Sequence, residues 1–460
     1  MKDYLARTFW LTLVVVVILI VLHYLPAVSI GDHPLRRINI LADVQRQEVD
    51  TLDNAAIDSI LPPAAKKHVY IDTCKAGITC IEDYGEDSTH RGMEPFYSAL
   101  NKGAALGRPV RIAYFGDSFI EADILTADLR SLFQDKFGGC GVGYLDITSQ
   151  APGFRPTVRH SFGGWKSHCI SDSTYFDRSR QGISNHYFVP TGDAYMEAQG
   201  VTKYTAHIDT FLTSCIFFET LGGVTIKPVI NGSTSETQHF LGKPELQMMQ
   251  VKGRIGKIRW NVEQPDSSTF YGITMEAPTG VSIDNFGLRS SSGIKLTTIP
   301  MERLKQFGKM HPYDLIVLQY GLNIASNKVS KYDYYQKELL QIVAYLEEAF
   351  PEAGILIVGV GDRNYKDEEG QLRTMPGIKY LIRYQQSAAI SAGVAFWSLF
   401  DAMGGEGSMA RLVHSNPPQA NLDYTHINFR GGRHIAQLLF DAMVYGKEVH
   451  QKREAYEKGK

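Results

Sequence analysis

Three short segments, far apart in the sequence, carry side chains suited to nucleophilic chemistry. Ser118 ends Gly116-Asp117-Ser118, directly after the apolar run Val110–Phe115, and His426 follows Asp423 by three residues. A carboxylate at this spacing can hold an imidazole through Nδ1, which leaves Nε2 to act as a general base toward a serine hydroxyl. The sequence therefore predicts Ser118 as a nucleophile, His426 as its base and Asp423 as the residue that orients the base.

Asn323 supplies a hydrogen-bond donor for the negative charge that such an attack creates. It ends the segment Tyr320–Asn323, which follows a predicted strand, and an amide group at a strand end suits an oxyanion. The backbone N–H of Ser118, predicted at the start of a helix, is a second donor. Each segment also has a purely structural interpretation, as a helix cap, a turn or a solvated loop. Their joint occurrence at predicted strand ends favours the chemical interpretation.

The elements predicted around these residues alternate between strands and helices. Short apolar runs indicate buried strands, and apolar residues at helical spacing indicate helices. The predicted strands are 110–115, 315–318, 355–358 and 394–399, and the predicted helices are 124–138, 332–350 and 432–445. This order predicts an α/β fold, with a parallel sheet covered by helices on both faces and a site at its carboxyl edge.

Residues 151–280 lack this alternation. They are rich in Thr, Ser, Gly and aromatic residues and show no long helical periodicity. We predict that they form a β-sandwich inserted into the α/β domain. That domain then consists of two parts, 91–150 and 281–446, and the charged residues 447–460 are predicted to form a frayed tail.

The first 90 residues divide into a short tail (1–8), an apolar span (9–28) and a polar stalk and lead-in segment (29–90). The span has no charged residue and about the length that crosses a bilayer, so it predicts a transmembrane anchor. A cleaved signal peptide that begins with Lys2 and Arg7 is the alternative. We expect the remainder to be extracytoplasmic, in the periplasm, either anchored to the membrane or exported after cleavage.

The composition limits the classes of partner and cofactor. The chain of 460 residues has 47 basic and 49 acidic residues, a formal charge of −2, so we expect no nucleic-acid binding. Cys74 and Cys80 are close enough in sequence to close a small disulfide loop in an oxidising compartment. A metal pair is less favoured, because no second Cys/His pair of matching spacing accompanies them. We expect neither a metal nor an organic cofactor.

Together these segments resemble the SGNH (GDSL-type) hydrolase family over roughly residues 110–150 and 281–446. The likeness rests on Phe115–Tyr144, with its Gly-Asp-Ser start and glycine-rich end, on Tyr320–Asn323, and on Asp423-x-x-His426 close to the C-terminus. The resemblance implies a flavodoxin-like parallel sheet and a Ser-His-Asp triad that needs no cofactor.

The same resemblance assigns Asp284–Gly287 as the family's glycine segment. It implies that the backbone N–H of Gly287 completes the oxyanion hole with Ser118 and Asn323, with Gly293 as a nearby competitor. Phe119 and Ile324 differ from the residues that many members carry after the serine and the asparagine.

Within the family the chain is most similar to peptidoglycan O-acetylesterases, which implies removal of O-acetyl groups from an envelope glycan. The insert is then expected to resemble a carbohydrate-binding module. Two alternatives remain open: an O-acetyltransferase that uses the same triad on an envelope polysaccharide, and a non-catalytic glycan-binding assembly factor. Candidate sugar-stacking rings in the insert, which are otherwise ordinary core residues, are Trp165, Tyr175, Phe176, Tyr187 and Trp260.

Overall fold

The computed structural model describes residues 2–24, 29–30, 33–34, 60, 74–85, 92–172 and 174–458. The chain divides into two units, Met1–Thr51 and Leu52–Lys460. The first contains helix α1 (Lys2–Tyr24) and the antiparallel pair β1 (Ser29–Ile30) and β2 (His33–Pro34). Among the described residues, no helix combines the length and the hydropathy needed to cross a membrane. The predicted transmembrane helix over 9–28 is therefore not supported, and residues 25–28 of that span lie outside the described part.

The second unit is organised around a six-stranded sheet. Its strands are β3 (Glu82–Asp83), β4 (Val110–Gly116), β12 (Val281–Gly287), β13 (Leu315–Gln319), β14 (Gly354–Val358) and β17 (Ala395–Trp397). The spatial order is β12-β4-β13-β14-β17-β3, in which β3 alone is antiparallel. The five parallel strands follow the flavodoxin-like order, so the predicted α/β fold is confirmed. Its topological switch point, where such sheets place their sites, lies beside β4.

Helices cover both faces of this sheet, which is why every residue of β4, β13 and β14 is buried. The helices of the second unit are α2 (Glu94–Lys102), α3 (Thr126–Phe137), α4 (Met301–Met310), α5 (Asp333–Ala349), α6 (Gly377–Ala392), α7 (Leu399–Ala402), α8 (Ser408–Val413) and α9 (Phe429–Lys458). Strands β15 (Asn364–Lys366) and β16 (Leu372–Thr374) form a separate hairpin.

Helix α9 is longer than predicted and includes most of the segment 447–460, which we expected to be frayed. His450 is buried, and its ring lies 5.6 Å from the ring of Tyr97 on α2. This contact gives the polar end of the helix a packing partner that its own composition does not indicate.

The segment between β4 and β12 forms an antiparallel sheet. Its strands are β5 (Gly143–Asp146), β6 (Val158–Cys169), β7 (His186–Gly200), β8 (Phe211–Ile230), β9 (Ser233–Thr234), β10 (Gln238–Ile255) and β11 (Ile258–Glu276). The path β10-β8-β11-β7-β6 is extended by β5, which pairs with β11, and by β9, which pairs with β8. We predicted a sandwich of two sheets, whereas hydrogen bonds join all seven strands in one. Irregularities in pairing interrupt the long strands β8, β10 and β11, and bulges of this kind bend strands.

Residues 74–85 of the segment 29–90 are tied to the sheet near its edge strand β3. Cys74 and Cys80, whose spacing left this bond open, form a disulfide. The indole N–H of Trp397 on β17 donates to the carbonyl oxygen of Thr79 at 2.9 Å. Residues 74–85 thus pack on the α/β unit rather than forming part of a free stalk.

Candidate active site

The predicted nucleophile, base and orienting carboxylate meet at the carboxyl edge of the sheet. Ser118 follows β4, and the turn Asp423–His426 precedes α9. The Oγ atom of Ser118 lies 3.0 Å from Nε2 of His426, and Nδ1 of His426 lies 2.7 Å from Oδ2 of Asp423. Both distances are those of hydrogen bonds, so the fold joins the three side chains in one chain of contacts.

Asp423 is held by its own turn. Its Oδ1 atom accepts the backbone N–H groups of Thr425 and His426, both at 3.0 Å, and Tyr424 adopts the left-handed φ of 53° that closes the turn. Burial tends to raise the pKa of Asp423, but hydrogen bonds from the backbone and ring of His426 outweigh it and hold this pKa below its usual value. An ionised carboxylate at Nδ1 favours the tautomer that leaves Nε2 as an acceptor.

Ser118 does not lie at a helix N-terminus, contrary to our prediction. The chain forms a turn in which the N–H of Ile120 donates to the carbonyl of Asp117 at 3.2 Å, then a 3-10 helix, and α3 begins only at Thr126. Ala122 and Asp123 both have left-handed φ angles, of 52° and 66°. The apolar spacing that predicted a helix from residue 124 did not reveal this irregular loop.

Asp117 connects the loop between β4 and α3 (residues 117–125, the serine loop) with Asn323. Its carboxylate is buried and accepts the N–H of Phe119 at 3.0 Å and the amide of Asn323 at 3.3 Å. Burial raises the pKa of Asp117 to about 6, although the N–H of Phe119 and the nearby His426 act in the opposite direction. The Asn323 amide also donates to the carbonyl of Ser291 at 2.9 Å. Asn323 therefore lies beside the serine loop, with its amide already engaged.

Gly287 ends β12 in register with Gly116 of β4. Its N–H donates to Oδ1 of Asn285 at 2.8 Å. The Asn285 amide in turn donates to the carbonyl of Ile120 at 2.7 Å. The N–H that the resemblance assigned to the oxyanion hole thus lies next to the serine loop but has an acceptor. The N–H of the competitor, Gly293, donates to the hydroxyl of Ser291 at 3.2 Å.

Asp123 is the centre of a buried charged network that we did not predict. It is fully buried, and its two oxygens contact Arg130 at 3.1 Å and Arg155 at 2.8 Å. It also accepts the hydroxyl of Thr157 at 2.7 Å. Burial alone would raise the pKa of Asp123, but the two arginines outweigh it and hold this pKa well below its usual value. The network fixes the loop after Ser118, and nothing in the sequence pattern links these positions.

The aromatic candidates in the insert have different environments. Trp260 and Tyr187 are buried and serve as core residues, whereas the side chain of Tyr175 is 83% exposed. The indole of Trp165 donates to the carbonyl of Tyr195. Within the described ranges, no group of three His, Cys, Asp or Glu side chains is arranged to hold a metal ion.

The strand order and the segments at its carboxyl edge define an α/β fold of the SGNH-hydrolase type. A solved structure of a peptidoglycan O-acetylesterase in action matches it with a TM-score of 0.64 and 21% sequence identity, over 80% of this chain and 99% of that chain. At this identity the match shows a shared fold. It extends over most of the chain, well beyond the motif segments.

Other comparisons add little. A family two carbohydrate esterase from Clostridium thermocellum, an active-site mutant in complex with an oligosaccharide, covers 62% of this chain and 97% of its own length. Its identity is 9% and its TM-score is 0.28, too low to support any argument. No protein-family model matches the sequence, and neither does any curated protein.

Proposed function

We propose that this protein is a serine esterase of the SGNH type that removes O-acetyl groups from a cell-envelope glycan, with peptidoglycan as the leading candidate. The observation that carries the proposal is the contact chain Ser118–His426–Asp423, with distances of 3.0 and 2.7 Å. The fold shared with a peptidoglycan O-acetylesterase supports the choice of substrate. An intact chain of this kind favours catalysis over a purely binding role.

In the proposed mechanism, Ser118 Oγ attacks the acetyl carbonyl carbon while its proton passes to Nε2 of His426. Asp423 stabilises the imidazolium through Nδ1. The tetrahedral intermediate collapses to an acetyl-serine, and His426 returns the proton to the departing sugar oxygen. Water, deprotonated by the same imidazole, then releases acetate and restores the serine.

The oxyanion of the intermediate needs donors close to Ser118. We assign the backbone N–H of Ser118 and the amide of Asn323 to this role. Each such donor lowers the activation free energy by about 3–4 kcal/mol. Asn323 can donate to an oxyanion only by releasing Ser291 or Asp117. Gly287 can join them only if its N–H leaves the side chain of Asn285.

A fluorophosphonate probe tests the proposal directly, because it labels serines that an adjacent base activates. We expect labelling of the full chain at Ser118, and release of acetate from O-acetylated peptidoglycan. Ser118→Ala should lose the labelling and at least about a thousandfold in acetate release, with unchanged circular dichroism. Ser233→Ala, at an exposed hairpin position, is the matched control and should behave as the unaltered protein. Undiminished acetate release by Ser118→Ala would refute the mechanism.

We also propose that the enzyme acts outside the cytoplasm. The bonded pair Cys74–Cys80 supports this, since such bonds persist in oxidising compartments. Cell fractionation with thiol labelling tests it: an extracytoplasmic protein should be protected from alkylation at both cysteines, and a cytoplasmic, fully alkylated protein would contradict the proposal. The same fractions show whether the protein is retained at the membrane or released.

A further inference from the structure

Three aromatic rings meet where the insert joins the last helix. The ring of Phe429, the first residue of α9, lies 6.0 Å from that of Phe154 and 5.4 Å from that of Tyr204. Phe154 is 47% exposed although it belongs to this cluster. The Phe154 ring is large and apolar, yet about half of it is open to solvent within this cluster. Its exposure suggests that it contacts a ligand.

The position of Phe154 is fixed by its neighbour in sequence. Arg155 forms the 2.8 Å ion pair with the fully buried Asp123, and Thr157 binds the same carboxylate. Both contacts attach the chain around Phe154 to the loop that follows Ser118. The segment that carries the exposed ring is therefore attached to this loop and is not a freely moving loop of its own.

The residue that carries the second ring is close to the base in the sequence. Phe429 follows His426 by three residues, so their Cα atoms are at most about 11 Å apart. The backbone of the first turn of α9 also packs directly against Ile124 in the serine loop, since a Cβ atom on Gly432 would overlap the carbonyl of Ile124. The ring cluster thus lies at the first residue of α9, three residues after the base, and the first turn of that helix packs on the serine loop.

Polar groups flank the rings. The hydroxyl of Tyr204 donates to Asp128 at 2.8 Å, and Arg433 pairs with the same carboxylate at 2.9 Å. The Arg433 guanidinium also lies 5.5 Å from the centre of the Tyr204 ring, and its side chain is 61% exposed. An open aromatic ring near an exposed guanidinium suits a pyranose ring, which has an apolar C–H face and hydroxyls at its edge.

We propose that Phe154 and Phe429 form a stacking subsite for a sugar ring of the substrate, next to the residue that carries the acetyl group. The proposal rests on the esterase function and deepens it, because it makes the substrate a glycan of at least two sugar units. It also gives the insert a role: the insert contributes Phe154 to the site, whereas the candidate rings Trp260 and Tyr187 are buried in core packing.

Phe154→Ala in the full chain tests the subsite through two substrates. On O-acetylated peptidoglycan we expect kcat/KM to fall about fivefold to tenfold, mainly through KM, because one ring contact is lost. On 4-nitrophenyl acetate, which is too small to reach the subsite, the kinetics should stay within about twofold. Phe154→Tyr should retain activity on the glycan. Leu241→Ala, which removes an apolar side chain that is 76% exposed elsewhere in the insert, is the matched control and should change the kinetics on neither substrate.

Equal losses on both substrates, or no loss on the glycan, would overturn the subsite and leave the esterase standing. A binding measurement tests the opposite case, in which the subsite exists but the protein is not an esterase. Muramidase fragments of O-acetylated peptidoglycan should bind Ser118→Ala, and adding Phe154→Ala should weaken this binding about fivefold to tenfold. If that loss is seen while no acetyl ester is turned over by the unaltered protein, the subsite stands and the esterase proposal fails. Binding that is undetectable, or unchanged by Phe154→Ala, overturns the subsite.

Discussion

Two carboxylates near the candidate site have pKa values shifted in opposite directions. Asp423 binds two backbone N–H groups and the imidazole, so its pKa is lowered despite burial, whereas burial raises the pKa of Asp117 to about 6. Folding therefore favours the ionised form of Asp423. Its contribution to stability is present above the unfolded pKa of about 4 and is lost as the pH falls through the lowered folded value.

Asp117 should show the opposite dependence on pH. Because folding raises its pKa, its contribution to stability is complete below about pH 4 and is lost as the pH rises through about 6. We predict that the free energy of unfolding of the unaltered protein falls between these pH values relative to that of Asp117→Asn, which cannot titrate. Urea denaturation of both proteins across this range measures the difference. Parallel curves would show that Asp117 does not titrate there.

Among the elements, the serine loop depends on the network around Asp123 more than on regular structure. The loop contains a 3-10 turn and two residues with left-handed φ, and each such residue costs about 1 kcal/mol or more. Arg130 from α3 and Arg155 from the start of the insert converge on one carboxylate. Removing that carboxylate leaves two buried guanidinium groups without their shared partner.

We therefore predict that Asp123→Asn lowers the free energy of unfolding by about 3–5 kcal/mol. Asp135→Asn is the matched control: Asp135 pairs with His207 at 2.6 Å, but both side chains are largely exposed, so its loss should cost about 0.5 kcal/mol or less. Chemical denaturation at neutral pH measures both changes. Similar values for the two variants would mean that the buried network does not hold the loop.

The sequence predicted elements whose signal is local. The strands beside Ser118 and Asn323 are short apolar runs, and the spacing of Asp423 and His426 places both on one turn. The engagement of the Gly287 N–H depends on where the side chain of Asn285 points, and the pairing of Asp123 with Arg155 joins side chains from two segments. Periodicity reveals neither contact. The prediction assigned Asp123 and Arg155 to different domains, although the fold brings them together.

The whole second unit is held by a core that crosses the boundary between the α/β part and the insert. Phe217 on β8 is fully buried, and its ring lies 4.8 Å from that of Phe307 on α4. The buried ion pair of Arg111 on β4 with Glu276 on β11, at 2.6 Å, crosses the same boundary. The insert is thus joined to the sheet through apolar and charged contacts, not only by its two connections.

We predict that calorimetry of the full chain shows one cooperative transition for both parts of this unit. Phe217→Ala should destabilise that transition by about 3–5 kcal/mol. Leu221→Ala, on the same strand but 67% exposed, should change it by about 0.5 kcal/mol or less. Independent melting of the insert, with the α/β transition unaltered by Phe217→Ala, would contradict this view.

The order of the strands has a consequence for biosynthesis. Strand β4 lies between β12 and β13, with Val110 opposite Val281 and Ile112 opposite Leu315, so the ribosome must complete the entire insert before either neighbour exists. Pairings this distant in sequence form slowly, and the apolar strand is prone to aggregation in the meantime. His426 is made later still, so in the proposed mechanism a nascent chain that already carries Ser118 lacks its base until the turn before α9 has been synthesised.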